Sequence, residues 1–313
     1  MTDAIITWVD GRDPAFRSRR NHYLQLEKGE GVPHEANAAL DTRINESGEL
    51  RYNIQLIRKN APWIERIHLV TDDQRPPWLT EAKADELGVE VVDLTVIFHG
   101  YEAFLPSFNS MSISSMMHRI PGLAPEFMHL DDDFFILRPV EKDAYFRNGR
   151  PVFRGCREVR SFPWPFLKKP PWRWEGEPDH GLIKLRFGGE KILRGKTERV
   201  TLYHAPRPVN TQDYAKILEH KIAHNARFRF RSSEQFEPVT LYANLLMHRN
   251  ACEIVGSDIA YVDPLLYPKL TPQNVRELAD RDHILHACFQ SLDEYDDASR
   301  QAVFDFLEDR LAA

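Results

Sequence analysis

Basic residues are in short supply: 41 Lys and Arg stand against 47 Asp and Glu, a formal net charge of −6. No overall positive field therefore recruits DNA or RNA, and nucleic acid is not an expected partner. Cysteine is scarce as well. Cys156, Cys252 and Cys288 lie at wide, irregular spacing, which makes neither a disulfide framework nor a zinc pattern, so all three are expected as buried thiols in a reducing compartment. Long apolar runs are missing: residues 4–9 fall far short of the roughly 20 that cross a bilayer. The first ten residues carry no positive stretch and no small-residue cleavage site, so a cytoplasmic protein is expected, with attachment to the inner face of the membrane left open. Neither a P-loop nor G-x-G-x-x-G occurs, which removes the ATPase and dinucleotide readings.

What remains is ordinary globular material. Of 313 residues, 42% are hydrophobic, 28% charged and 11% aromatic, enough for a substantial core and unlike a disordered, collagenous or coiled-coil chain. Residues 4–9 read as a buried first strand ended by Asp10-Gly11 and Asp13-Pro14. Residues 17–46 are polar and show no clear period. Ser47 suits an N-cap for a helix carrying Leu50, Ile54, Ile57 and Ala61, stopped by Pro62. Strands follow at 67–71 and 89–94, with a helix through 79–87 between them. Ile113, Met116, Met117 and Ile120 mark another helix, and 127–130 a further strand. Strands alternating with helices predict an α/β fold with a mostly parallel sheet. From about residue 212 the pattern turns helical and ends in a helix over 298–311.

Ligands of such sheets sit at the carboxyl ends of the strands, and three of these strands run into acids. Asp131-Asp132-Asp133 is the sharpest group: adjacent carboxylates at a strand end can hold a hard divalent cation that bridges phosphate oxygens, although such clusters also serve as solvated turns or helix caps. Asp10, Asp13 and Asp72 add to the same rim. An acidic rim repels an anionic ligand unless cations intervene, which makes Arg51, Arg119 and Arg231 candidate partners, each with a competing reading as a surface charge. His204, in Tyr203-His204-Ala205-Pro206-Arg207-Pro208, is a candidate proton acceptor; most of the 13 histidines are structural or solvated.

These residues together resemble the Stealth proteins. Ile5-Ile6-Thr7-Trp8-Val9-Asp10-Gly11-Arg12-Asp13-Pro14 is similar to the first region of that family. Gly48-Glu49-Leu50-Arg51-Tyr52, Ala61-Pro62-Trp63, residues 67–74, Pro77-Trp78-Leu79, Leu105-Pro106-Ser107-Phe108-Asn109-Ser110, His118-Arg119-Ile120-Pro121-Gly122-Leu123 and residues 130–134 resemble the second. Residues 203–208 and Phe230-Arg231-Ser232-Ser233-Glu234 resemble the third. The resemblance implies a Rossmann-like, glycosyltransferase-A-like core with helical C-terminal additions, and a sugar-1-phosphate transferase of capsule or exopolysaccharide synthesis. In such an enzyme an acceptor hydroxyl attacks the β-phosphorus of a nucleotide-diphosphate sugar, a UDP-sugar being the expected donor, and a nucleoside monophosphate leaves. It further implies Mg²⁺ or Mn²⁺ on Asp132 and Asp133. His204 as general base, Arg231 on the transferring phosphate and Asp10 would form the catalytic set. Glu49, Arg51, Asp72, Asn109, His118 and Arg119 would contact substrate.

Two departures stand out. The chain has Thr71-Asp72-Asp73-Gln74 where the family usually places a glycine third, and Gln290-Ser291 where the fourth region usually carries Asn-Asp, so that Asp293 or Glu294 would have to substitute. A metal-dependent glycosyltransferase releasing a nucleoside diphosphate and an inactive carbohydrate-binding relative remain as alternatives. The expected organisation is one catalytic domain over 1–313: a nucleotide-sugar core (1–140), an insertion or lid (141–200) and a C-terminal part bearing the base (201–313). The aromatic, proline-rich segment 162–174 is read as a loop that caps the core, stacks on acceptor sugars or rests on a membrane.

Overall fold

Period-2 alternation places the first strands. In β1 (Thr2–Thr7) Ile5 faces one side and Ala4 and Ile6 the other, each wholly buried. The computed structural model describes residues 1–32, 44–159, 182, 183 and 185–313; segment 162–174, and with it the sugar-stacking and membrane readings, lies outside the described residues. After β1 come α1 (Pro14–Gly29), α2 (Glu49–Asn60), β2 (Ile67–Thr71), α3 (Glu81–Leu87), β3 (Val89–Asp93), α4 (Leu94–Ile97), α5 (Ser110–Met116), β4 (Glu126–Asp131) and β5 (Phe134–Ile136). Then follow β6 (Phe146–Arg147), β7 (Arg150–Val159), β8 (Leu182–Ile183), α6 (Arg186–Ile192), β9 (Glu198–Tyr203), β10 (Arg207–Asn210), α7 (Thr211–Leu218), α8 (Ile222–Ala226) and α9 (Pro238–Met247). The chain closes with β11 (Glu253–Val255), β12 (Ile259–Val262), α10 (Pro272–Ala279), β13 (His286–Phe289) and α11 (Asp297–Ala312).

The central sheet has the order β10-β4-β1-β2-β3. β4, β1, β2 and β3 run parallel, and β10 is an antiparallel edge strand with Arg207 opposite His129. The α/β expectation with a mostly parallel sheet is therefore met. A second sheet (β11-β7-β9-β8) falls in and beside the expected insertion, and a third (β12-β13-β5) leans on the acid turn, because only two residues separate the end of β4 from the start of β5. Helices α10 and α11 cover that third sheet with Val275, Val303, Phe306 and Leu307.

Some boundaries differ from expectation, for local reasons. α1 lies in a stretch without visible period, since its inward face carries Arg20 and Glu27 beside Phe16 and Leu24. Its start is well marked: Asp13 accepts from the Phe16 N–H at 2.7 Å and Pro14 occupies the first turn. The cap of α2 is Gly48, not Ser47. Gly11 is required where it stands, because a Cβ there would sit 2.5 Å from the Ile44 carbonyl. Asp73 occupies the left-handed region (φ 54) that the lost glycine would suit, and Asp93 Oδ2 accepts from its N–H at 2.8 Å. Among the described residues, no helix is long and apolar enough to cross a membrane.

Candidate active site

Carboxyl ends of parallel strands open onto one rim, and here they wall a cavity of about 320 Å³. Thr7, Trp8 and Val9 line it from the end of β1, Thr71 and Asp72 from β2, and Asp131, Asp132 and Asp133 from β4. Loop and helix residues add Glu49, Asn109, His204, Arg231 and the run Gln290-Ser291-Leu292-Asp293. Residues separated by up to 286 positions in sequence thus meet in one place, and the departing run at Gln290-Ser291 is among them.

The acid turn between β4 and β5 is held from below. Asn53, fully buried on α2, directs its side-chain amide at the carbonyls of Asp131 (3.0 Å), Asp132 (3.1 Å) and Phe134 (2.8 Å). One turn pair further on, Asn60 donates to Ile136 O at 2.6 Å. The three carboxylates then meet different fates. Burial opposes ionisation of Asp131, but Arg207 at 2.8 Å, followed by His129, outweighs it and holds the carboxyl below the ordinary range. Asp132 has no such cation among the described residues; burial, then Asp133 and Glu49, push it well up. Burial and then Asp131 raise Asp133 to about 7, against the Cys288 thiol, which donates to it at 3.4 Å. Glu49 is also lifted to about 7, by burial and then by Glu46 and Asp293. Asn45 donates to Asp293 at 2.9 Å.

Carboxylates raised by burial and by one another, as Asp132, Asp133 and Glu49 are, are chemistry for a hard cation. Among the described residues no three His, Cys, Asp or Glu side chains enclose a metal by themselves. Asp132 and Asp133 are a two-carboxylate donor set that leaves the other positions to water and ligand oxygens, as a Mg²⁺ site shared with a phosphate requires. The donors fit that ion.

His204 sits between two rings, Phe134 edge-on at 5.9 Å and Tyr261 tilted at 5.3 Å. Arg231 is half-buried at the cavity wall, where Ser110 Oγ accepts from it at 2.8 Å; desolvation, then Arg186, lower its pKa to about 10. Asp72 is paired with Arg19 at 2.6 Å, though burial still raises it. Asn109 lines the cavity while serving as a staple, donating to Phe228 O and Gln235 Oε1 and capping Met111.

Four expected residues are placed elsewhere. Asp10 accepts from the Arg12 N–H, and its backbone exchanges two hydrogen bonds with the Gln74 amide, so it braces the wall without lining it. Arg51 lies on the outer face of α2, in a groove with Glu308 and Leu311. Arg119 donates to the carbonyls of Ile97 (3.0 Å) and His99 (2.7 Å), fixing a loop. His118 is packed edge-on against Tyr214, and burial lowers it to about 4. Conversely, Asn53, Arg207 and Cys288 act at the site through partners distant in sequence that no local pattern announces, and Gln290, seen in the sequence as a departure from the fourth region, lines the cavity.

The model of Stealth protein CR2, conserved region 2, matches residues 43–152. An exopolysaccharide phosphotransferase of Streptomyces coelicolor is 35% identical over 96% of this chain, which covers 49% of that protein; a second from the same organism is 31% identical, with 30% of its length covered. The chain thus spans half or less of these relatives. A capsular polysaccharide phosphotransferase of Haemophilus influenzae is 32% identical over 83% of this chain and 68% of its own length. Among solved structures, an active-site mutant of LgtC is similar at a TM-score of 0.45 and 12% identity, over the whole of this chain and 95% of that one. With its second conserved region matched and a polysaccharide phosphotransferase aligned over two thirds of its length, the chain belongs to the Stealth family.

Proposed function

We propose that this protein transfers a sugar 1-phosphate from a nucleotide-diphosphate sugar, a UDP-sugar first among candidates, to a glycan hydroxyl during synthesis of a surface or secreted polysaccharide. The observation that carries the proposal is the meeting of Asp132, Asp133, His204 and Arg231 in one cavity at the sheet rim. The acceptor oxygen forms a bond to the β-phosphorus as the bond from that phosphorus to the bridging oxygen breaks. The nucleoside monophosphate leaves with the bridging electrons, and the hydroxyl proton passes to His204, whose ring Phe134 and Tyr261 hold in place. Arg231, already desolvated, faces the charge that spreads over the transferring phosphoryl oxygens. A magnesium or manganese ion on Asp132 and Asp133 would supply neutralisation of the diphosphate. Arg207 keeps Asp131 out of that role by pairing with it.

The test is incubation of the protein with UDP-, GDP- and CDP-sugars, Mg²⁺ and neutral oligosaccharides, with chromatography of the released nucleotide. A monophosphate, lost with EDTA and with His204→Ala, is the expected product. A diphosphate would make the protein a glycosyltransferase, and absence of donor binding would make it an inactive relative.

A further inference from the structure

The rim gives the cavity a direction. Strand order places His204 at the β10 edge, the acids at β4, Trp8 at β1 and Asp72 at β2; three steps of about 4.8 Å make this roughly 14 Å. On the reading above, the diphosphate lies over β4 and the acceptor hydroxyl lies against His204, so the acceptor sugar occupies the β10 end. The group waiting there is Gln290, which lines the cavity, with Tyr261 and Asp263 in contact behind it. Tyr261 lays its ring 5.3 Å from that of His204. Its hydroxyl lies 2.8 Å from Gln290 Oε1 and 3.1 Å from Asp263 Oδ2, so one proton serves two acceptors. Burial, then Cys288 and Asp263, push the phenol far above its ordinary range, so it stays a donor.

This arrangement fixes the Gln290 amide. Its oxygen is held by Tyr261, and its backbone N–H donates to Val262 O at 2.8 Å. The side-chain NH₂ at the cavity wall therefore has no hydrogen-bond partner among the described residues. Asp263 is itself anchored, its other oxygen accepting from the Leu265 N–H at 2.7 Å. A pre-set amide donor on a wall that also carries Asp293, with Arg231 of the same cavity turned to the transferring phosphate, suits a neutral sugar ring: its hydroxyl or acetamido oxygens accept from an N–H, whereas an acidic sugar would meet the Asp293 carboxylate.

We infer that Gln290, positioned by Tyr261 and Asp263, is the acceptor-binding group of this enzyme and selects neutral, hydroxyl-bearing sugars. The inference rests on the phosphotransfer reading only for the placement of His204. Its test uses methyl glucoside, methyl N-acetylglucosaminide and methyl glucuronide with the wild-type protein and with Gln290→Ala and Tyr261→Phe. Binding is read by saturation-transfer NMR in the presence of UMP and Mg²⁺, and transfer by acceptor and donor KM. The two neutral glycosides should bind. Each variant should raise the acceptor KM about 3- to 10-fold, the worth of one hydrogen bond, while the donor KM moves less than twofold. Restoring the amide with Gln290→Asn should recover part of the loss. Overturning results are equal binding in all variants, a donor KM that rises as much as the acceptor KM, preference for the glucuronide, or no binding of any neutral glycoside. Release of a diphosphate would refute the phosphotransfer reading and leave the subsite standing.

Discussion

Asn53→Ala should damage stability and metal binding together. The Asn53 amide has two hydrogens and faces three carbonyls at 2.8–3.1 Å, so at most two full hydrogen bonds are lost and one contact is shared. A buried carbonyl left unpaired costs about 1–3 kcal/mol, which for two such bonds puts the loss at about 2–6 kcal/mol. The same carbonyls belong to the turn that aims Asp132 and Asp133, so their relaxation should loosen the carboxylate pair. Asn60→Ala is the control: it removes one buried bond, to Ile136, on the same helix but beyond the turn, and should cost about 1–3 kcal/mol without touching the carboxylates. Urea unfolding followed by tryptophan fluorescence gives the first quantity, and Mn²⁺ titration by electron paramagnetic resonance the second. The reasoning is refuted if the Asn53 variant unfolds within about 0.5 kcal/mol of wild type, or if both variants lose Mn²⁺ affinity equally.

Other outcomes follow from the same contacts. His204→Gln should lower turnover by roughly 10²–10⁴ with little change in donor KM, as loss of a general base does; unchanged turnover would remove His204 from the chemistry. Arg207→Met takes the buried cation away from Asp131, whose own side chain is one-third exposed, and should cost about 1–3 kcal/mol, read by the same urea titration; a loss below about 0.5 kcal/mol would show the pair to be screened by solvent. His118 is half-buried and neutral, with a pKa lowered to about 4 by desolvation, below its unfolded value. Its contribution is therefore complete above about pH 6.5 and is lost as pH falls toward 4, by up to about 3 kcal/mol. His118→Gln should flatten that part of the stability–pH curve, and an unaltered slope would contradict the assignment.

Much of the fold was legible because hydrophobic period and strand-end acids are local signals. β1, β2, β3 and β4 each announce themselves in five or six residues. α1 was hidden because Arg20 and Glu27 sit on its buried face. At the site, Asp131-Asp132-Asp133 stood out as a run, yet sequence could not say that Arg207, 76 positions away, removes the first of them. Residue type misleads in the other direction. Arg119 looks like a phosphate ligand but holds two backbone carbonyls, and Arg51 turns to the outer groove. Gln290 looked like a defect in a motif, and only the tertiary contact with Tyr261 gives its amide a direction.

The central claim is which bond of the donor breaks, and oxygen isotopes answer it directly. A UDP-sugar carrying ¹⁸O between the anomeric carbon and the β-phosphorus is turned over with Mg²⁺ and a neutral acceptor. Phosphotransfer breaks the bond between the β-phosphorus and the oxygen linking the two phosphates, so the label should stay in the sugar phosphodiester while unlabelled UMP leaves. Labelled UDP and a sugar product free of phosphorus would contradict the account.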